Sequence, residues 1–120
     1  MADSTLEKLI EDYCAAWNAP DPAASHRLLD KVWAEGGSYT DPTVHLVGQG
    51  ELVAHIFRVQ ARRPGSRIVL TSNIDAHHDV LRFNWKRINP DRSVVVEGVD
   101  VALIEHNRIA RIVGFFGVLV

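Results

Sequence analysis

With 120 residues, 47% of them hydrophobic, the chain can form one domain with a buried core but is too short for two. Its 13 basic and 15 acidic residues give a formal net charge of -2, so it lacks the broad positive surface that nucleic-acid binding requires. Cys14 is the only cysteine, which excludes an intramolecular disulfide and a cysteine-based zinc site. We expect a single domain over residues 1–120, with no metal and no nucleic-acid partner.

The amino terminus, residues 1–8, is polar and lacks the basic start and apolar stretch of a signal peptide. No later run approaches the ~20 apolar residues that a membrane-spanning helix requires. These features predict a cytoplasmic protein that does not bind a membrane.

The first predicted helix begins with Ser4 and Glu7 in the spacing of a capping box. Apolar residues then recur with the helical period, so that Tyr13 and Trp17 lie on the inward face. Asn18-Ala19-Pro20 ends this helix.

Two more helices are predicted before residue 66. The second begins at Asp21-Pro22, an N-cap acid followed by a proline in the first helical position, and it ends at Gly36-Gly37. The third begins near Gly48 or Gly50 and ends at Pro64-Gly65.

Strands dominate the rest of the chain. A short strand over residues 38–41 ends before Pro42, which cannot donate a hydrogen bond to a sheet, so Asp41 lies at the end of that strand. From residue 67 the apolar pattern changes, and four further strands are predicted over 67–72, 79–88, 93–105 and 108–118. Helices followed by a strand meander predict an α+β fold in which a curved, mainly antiparallel sheet covers three amino-terminal helices.

Several strands are apolar on both faces, as in Val94–Val96 and Ile112–Phe116. A sheet with one face in water alternates more cleanly between apolar and polar residues. We therefore expect a homodimer formed through the outer face of the sheet. The alternative is a monomer with a few exposed apolar residues, which is common in soluble proteins.

Asp100 lies in the middle of a predicted strand and, by period-two alternation, is the lone acid on its apolar face, with Glu97 and Glu105 on the other. Desolvation raises the pKa of such a carboxyl and favours the protonated form, which can donate a hydrogen bond. The alternative is a buried structural aspartate that pairs with an arginine such as Arg82 or Arg111, or that accepts hydrogen bonds from the backbone.

Tyr13 and Asp41 each have an ordinary structural explanation, as a core tyrosine and as a turn-forming acid before a proline. Together with Asp100 they suggest catalysis. A phenol beside a neutral carboxyl can bind an oxyanion, and a second carboxylate can carry a proton between two carbons.

The segments around these residues, 13–18, 39–42 and 98–101, resemble the three active-site segments of ketosteroid isomerase in order and spacing. At the level of the wider NTF2-like, SnoaL-like superfamily the resemblance extends over nearly the whole chain. It implies a cone-shaped fold, a homodimer, and a cofactor-independent isomerase acting on an apolar cyclic ketone. It also implies that Asp41 removes a proton next to the carbonyl while Tyr13 and protonated Asp100 donate hydrogen bonds to the dienolate oxygen.

The residues that line the cavity needed for this chemistry are predicted from the inward positions of the helices and strands. A shift of one residue in the register of a strand would turn each of its side chains to the opposite face. The predicted substrate-binding residues are Trp17, Leu52, Ile56, Phe57, His77, Phe83, Trp85, Ile112 and Phe116.

His77 and His78 support a second hypothesis, because polyketide cyclases and dehydratases of the same superfamily use a histidine and an aspartate in the pocket, and histidine titrates near neutral pH. His77 or His78 acting with Asp41 would indicate a lyase. The alternative is a structural role, in which both histidines cap the sheet or contact a second subunit. A third hypothesis is a non-catalytic module that binds a small molecule or a protein.

Overall fold

The computed structural model describes residues 4–117. The helices and strands follow in the order α1 (Ser4–Trp17), α2 (Pro22–Val32), β1 (Trp33–Asp41), β2 (Val44–Val47), α3 (Gln49–Arg62), β3 (Arg67–Leu70), β4 (Asp75–His77), β5 (Val80–Ile88), β6 (Val94–Glu105) and β7 (Arg108–Phe116). The strands form one sheet in the order β2-β1-β7-β6-β5-β3, and β4 pairs with β5. Every pairing is antiparallel except β1 with β7. The predicted α+β class, the three helices and the mainly antiparallel sheet are confirmed.

The start of α2 follows from its sequence. Asp21 caps the helix by accepting a hydrogen bond from the backbone N–H of Ala24 at 2.8 Å, and Pro22 occupies the first turn. The buried hydroxyl of Ser25 donates to the carbonyl oxygen of Ala16 at 3.0 Å, which joins α2 to α1.

The end of α2 differs from the prediction. The helix stops at Val32, and Trp33 already has the extended backbone of β1, four residues before the predicted end at Gly36-Gly37. The ring of Trp33 stacks on that of Tyr13, with centroids 5.9 Å apart. This packing places Trp33 in the sheet, where the helical pattern of α2 no longer applies.

Two hairpins also depart from the predicted strands. β2 was not predicted, and it pairs with β1 through the turn after Asp41, where Asp41 lies opposite Val44. The strand predicted over 79–88 is β5, which begins at Val80. It pairs with β4, which was not predicted, through a turn at His78 and Asp79, both with positive φ. Both hairpins lie at ends of strands, where turn geometry decides the pairing.

The core lies between the helices and the inward face of the sheet. Along β5 the residues Leu81, Phe83, Trp85 and Arg87 are buried at every second position, which is the pattern of a strand with one covered face. In the central strands Phe83 pairs with Asp100, and Asp100 pairs with Gly114. None of the helices within residues 4–117 is both long and apolar enough to cross a membrane.

Candidate active site

A cavity of about 550 Å³ lies against the inward face of the sheet, and its walls come from α1, α3 and strands β1, β2, β3, β5, β6 and β7. Tyr13, Asp41 and Asp100 all line it. The structure therefore brings together in one space the phenol and the two carboxyls that are far apart in the sequence.

Gly114 separates the two carboxyl groups. A Cβ atom at this position would lie 2.8 Å from Oδ1 of Asp100 and 3.6 Å from Cβ of Asp41. The register between β6 and β7 places Gly114 directly opposite Asp100. Because Gly114 has no side chain, Asp41 and Asp100 can both reach the same part of the cavity.

Asp100 is 5% exposed, and the indole nitrogen of Trp85 donates a hydrogen bond to its Oδ1 at 2.9 Å. Burial raises the pKa of Asp100 to about 7, the nearby charge of Asp41 adds to the rise, and the Trp85 hydrogen bond opposes it. Within residues 4–117 neither Arg82 nor Arg111 forms an ion pair with Asp100. The carboxyl therefore has the desolvated environment predicted from its strand, without the predicted alternative of a buried ion pair.

Asp41 is 9% exposed, and its carboxylate accepts every hydrogen bond that holds it. Its Oδ1 accepts from the backbone N–H and the hydroxyl of Thr43, both at 2.7 Å, and from the N–H of Val44 at 3.2 Å. Its Oδ2 accepts from the hydroxyl of Tyr39 at 2.7 Å. Asp41 thus has the turn-capping role considered above and also lines the cavity, and Oδ2 is the oxygen with fewer protein donors.

Tyr13 is 2% exposed, and its hydroxyl makes no hydrogen bond to the part of the chain that the structure describes. Burial raises its pKa well above the ordinary value, and the charge of Asp100 raises it further. A buried hydroxyl without a partner costs free energy, which a bound acceptor would recover. Tyr13 is therefore a neutral phenol with an unused donor.

Tyr39 is a site residue that the sequence analysis did not single out. It is 4% exposed, its hydroxyl donates to Asp41, and burial is the main cause that raises its pKa far above the ordinary value. Period-two alternation in β1 places Tyr39 and Asp41 on the same face, so the signal was present in the strand pattern.

His55 also lines the cavity, from α3, and is 4% exposed. Its ring meets that of Trp17 edge-on at 5.9 Å and lies 6.0 Å from that of Tyr39. Burial lowers its pKa, and the neighbouring arginines of α3 and Arg87 add to the effect while Asp41 opposes it. His55 is therefore held as a neutral imidazole.

The other predicted cavity residues divide into two groups. Trp17, Phe83, Trp85 and Phe116 line the cavity. Leu52, Ile56 and Ile112 are 0% exposed and lie in the closed core, outside the cavity lining.

Phe57 and His77 also lie outside the lining of this cavity. Phe57 packs against the core from α3, where it is partly buried. His77 and His78 are exposed at the β4–β5 turn, with their Nδ1 atoms 3.1 Å apart, and line a separate hollow of about 220 Å³. The positive φ angles of His78 and Asp79 break the alternation that would have placed His77 beside Phe83 and Trp85. Across residues 4–117, no three His, Cys, Asp or Glu side chains are grouped so that they could hold a metal ion.

No family model and no curated protein matches the chain. Among solved structures, it is similar to a SnoaL-like family protein of Agrobacterium tumefaciens strain C58 that is provisionally assigned as an isomerase. The identity is 33% over 97% of this chain and 100% of that one, with a TM-score of 0.89. The chain therefore belongs to the SnoaL-like family of NTF2-like proteins.

More distant structures share the fold. A protein of Jannaschia sp. CCS1, provisionally assigned as a SnoaL-like polyketide cyclase, is 13% identical with a TM-score of 0.73 over 93% of this chain and 84% of that one. A protein of Catenulispora acidiphila with a ketosteroid isomerase-like fold, solved with trimethylamine, is 14% identical with a TM-score of 0.73 over 92% and 85%. At these identities the likeness concerns architecture alone.

Proposed function

We propose that this protein is a ketosteroid-isomerase-like enzyme that moves a proton between two carbons next to a carbonyl of a cyclic ketone, without a cofactor. The observation that carries the proposal is the placement of Asp41 and Asp100 on either side of Gly114, in a cavity that Tyr13 also lines. A base and an oxyanion-binding pair need this arrangement, because the proton and the developing negative charge are on neighbouring atoms of the substrate.

In the proposed reaction Oδ2 of Asp41 removes a proton from the carbon between the carbonyl and the double bond of a β,γ-unsaturated ketone. The electron pair of the C–H bond forms a new carbon–carbon double bond, and the π pair of the carbonyl moves to its oxygen. Tyr13 and protonated Asp100 donate hydrogen bonds to the resulting dienolate oxygen. Asp41 then returns the same proton to a more distant carbon of the dienolate, so that the double bond moves and the ketone re-forms.

The environment of Asp100 supports its role as a donor. Trp85 occupies Oδ1 by donating to it, which leaves Oδ2 as the oxygen that can carry the proton. With a pKa raised to about 7, the carboxyl is largely protonated below neutral pH. The groups around Asp41 support its role as the proton acceptor, because each of them donates a hydrogen bond to its carboxylate oxygens.

Exchange of substrate protons for solvent deuterium tests the proposal. β,γ-Unsaturated cyclic ketones incubated with the protein in deuterium oxide should exchange at the carbon next to the carbonyl and give the conjugated isomer. Asp41→Asn should lower the rate by several orders of magnitude with ligand affinity nearly unchanged, because a proton acceptor acts in the transition state. Asn can keep the fold, since its Oδ1 still accepts from Thr43 and the hydroxyl of Tyr39 can rotate to accept from its amide.

The matched control is Asp75→Asn, which changes an exposed carboxylate whose one partner is Arg82. Its rate should equal that of the parent protein. Full activity of Asp41→Asn would exclude Asp41 as the base, and absence of exchange with every ketone of the panel would exclude the isomerase.

A lyase is the second candidate, and the observation that favours it is the neutral, buried His55 in the same cavity as Asp41. A neutral imidazole can accept a proton during loss of water from a β-hydroxy ketone. His77 and His78 are exposed and line a separate hollow, so they no longer support this role. Elimination from β-hydroxy cyclic ketones that is lost in His55→Gln, without isomerisation of unsaturated ketones, would favour the lyase. Ligand binding without either reaction would favour a binding module.

We also propose a homodimer formed through the outer face of the sheet. On that face Val101 pairs with Val113, and Val99 pairs with Phe115. Phe115 is 55% exposed and Leu103 39%. This apolar patch of two neighbouring strands fits a second copy of the chain better than water. The cytoplasmic location expected from the sequence stays a prediction.

A further inference from the structure

The proposed reaction leaves one buried charge of the cavity unused. Arg87 is 3% exposed, faces inward from β5 and lines the cavity. Its neighbours across the sheet are Ile68 on β3 and Val96 on β6, both of which also line the cavity. These strand neighbours are apolar and offer the buried guanidinium no counter-charge.

The protein supplies Arg87 with few partners. Its Nη1 donates to the hydroxyl of Ser66 at 2.9 Å, and its guanidinium carbon lies 5.8 Å from the centroid of the Trp17 ring. Among the residues that the structure describes, no carboxylate forms an ion pair with it. A guanidinium has five N–H donors, so beyond the bond to Ser66 Arg87 has further donors for a ligand in the cavity. Burial lowers its pKa, as expected for a cation that has lost water without gaining an anion.

The rest of this end of the cavity is also basic. Arg58 and Arg62, near the end of α3, and Arg63, which follows the helix, line the same cavity and are exposed. The acids in the lining are Asp41 and Asp100, which the proposed reaction already uses. The surrounding charge thus attracts an anion to the mouth of the cavity and leaves Arg87 as the buried group that can bind it.

The sheet sets the distance between this end and the reactive end. Phe83 pairs with Asp100, and Arg87 follows four residues later on the same strand. At about 3.3 Å per residue the two positions are about 13 Å apart along β5. This distance suits a ligand of two or more fused rings with its carbonyl at one end and its charge at the other.

We propose that the ligand of this cavity carries a carboxylate, which forms a bidentate pair with Arg87 while its carbonyl oxygen meets Tyr13 and Asp100. The substrate class is then a cyclic keto acid, in place of the neutral ketone that the family resemblance implies. The inference rests on the proposed function for the position of the carbonyl alone. Binding of the carboxylate depends on Arg87, whatever reaction follows.

A pair of rigid probes tests the inference without catalysis. 2-Naphthol carries a phenol that can occupy the oxyanion site, and 6-hydroxy-2-naphthoic acid carries the same phenol with a carboxylate at the far end. The acid should bind about tenfold tighter or more, because a charge-assisted bidentate pair contributes at least that much. Calorimetry measures both dissociation constants at 0.05 M and 0.5 M NaCl. The preference for the acid should largely survive at high salt, because salt screens a pair with buried Arg87 much less than a pair with an exposed arginine.

Substitutions then locate the preference. Arg87→Gln should abolish it while 2-naphthol binds as before, and Arg87→Lys should keep part of it, since the charge remains but the bidentate geometry is lost. Arg82→Gln is the matched control, an exposed arginine on the outer face of the same strand, and should leave the preference unchanged. Circular dichroism checks that each variant is folded.

Equal affinities for the two probes in the parent protein, or a preference that survives in folded Arg87→Gln, would overturn the inference. So would absence of binding by both probes. If Arg87→Gln does not fold, the parent protein still decides, because a preference lost at 0.5 M NaCl would assign the carboxylate to the exposed arginines and overturn the inference. If the acid binds through Arg87 but no cyclic keto acid exchanges its protons, the proposed isomerase fails and the carboxylate site stands.

Discussion

Trp85 donates its indole N–H to Oδ1 of Asp100 at 2.9 Å, from a ring that lies against the backbone of Gly98. A Cβ at Gly98 would lie 2.7 Å from Cζ2 of Trp85 and 2.3 Å from the carbonyl oxygen of Phe115. The glycine therefore leaves the space in which the indole packs against β6 and reaches the carboxyl. Burial raises the pKa of Asp100 and this hydrogen bond lowers it, so the value of about 7 is a balance in which burial dominates.

Trp85→Phe should raise the pKa of Asp100 by about one unit, because it removes a hydrogen bond that favours the charged form and leaves the site apolar. The proposed reaction needs protonated Asp100, so the fall of kcat/KM at high pH should move to higher pH. A titration of the carboxyl by 13C NMR measures the same shift without relying on activity.

Trp33→Phe is the control for this change. Its indole nitrogen is buried and makes no hydrogen bond to the described part of the chain, so the pKa of Asp100 should stay where it is. An unchanged or lowered pKa in Trp85→Phe would show that the indole does not stabilise the carboxylate.

Asp100 should also make the protein less stable as the pH rises. The pKa of its carboxyl is about 7 in the folded state and near 3.8 in the unfolded chain, so between these values the folded state binds the extra proton. The free energy of unfolding then falls with rising pH, by at most about 1.4 kcal/mol per unit from this group. The loss begins above pH 4 and is complete once the pH passes the folded value.

Urea denaturation of the parent protein and of Asp100→Asn, from pH 4.5 to pH 8, measures this contribution. The amide cannot ionise, so the difference in unfolding free energy should move in favour of Asp100→Asn as the pH rises. His55 acts in the opposite sense, because its lowered pKa makes the folded state release a proton, and it cancels in the comparison of the two proteins. A difference that is constant with pH would show that Asp100 ionises as easily in the folded protein as in the unfolded chain.

Much of the site follows from two periodicities in the sequence. The helical period of α1 faces Tyr13 and Trp17 inward, and alternation in β6 places Asp100 on the covered face, so their meeting was predictable. The alternation of Phe83 and Trp85, continued by two residues, also predicts that Arg87 faces inward, although Arg87 was not among the predicted cavity residues.

Other features depend on geometry that periodicity does not contain. His77 left the predicted face because His78 and Asp79 take left-handed conformations, at φ 49° and 61°, that reset the strand. Leu52 and Ile56 face inward as predicted but lie in the closed core, since the lean of α3 decides which of its inward residues reach the cavity. The direction in which a side chain points can be predicted from its own segment. Whether it reaches the cavity or lies in the closed core depends on how several segments pack together.

Gly114→Ala should damage catalysis more than stability. The added methyl would lie 2.8 Å from Oδ1 of Asp100, closer than real contacts allow, so the carboxyl must move from its bond with Trp85. We expect kcat/KM for the proposed reaction to fall by about 100-fold or more, since displacement of a catalytic group by about 1 Å has effects of this size.

Gly50→Ala provides the comparison, because a Cβ there meets nothing within 4 Å and the residue lies in α3. It should leave kcat/KM unchanged and raise the melting temperature slightly, as alanine favours a helix. Parent-like kinetics in Gly114→Ala would show that the spacing of the two carboxyls is not needed for the reaction.

Phe115→Lys should convert the proposed dimer into a monomer. Phe115 is the most exposed large apolar residue of the patch that also contains Val99, Val101, Leu103 and Val113. A lysine in its place would put a charge in the proposed apolar interface. Sedimentation equilibrium should give roughly twice the 13.4 kDa chain mass for the parent and the single mass for the variant. Ala54→Lys adds the same charge at an exposed position of α3, away from this face, and should remain dimeric. A parent protein that sediments as a monomer at micromolar concentration would refute the dimer, and the patch would then be ordinary exposed apolar surface.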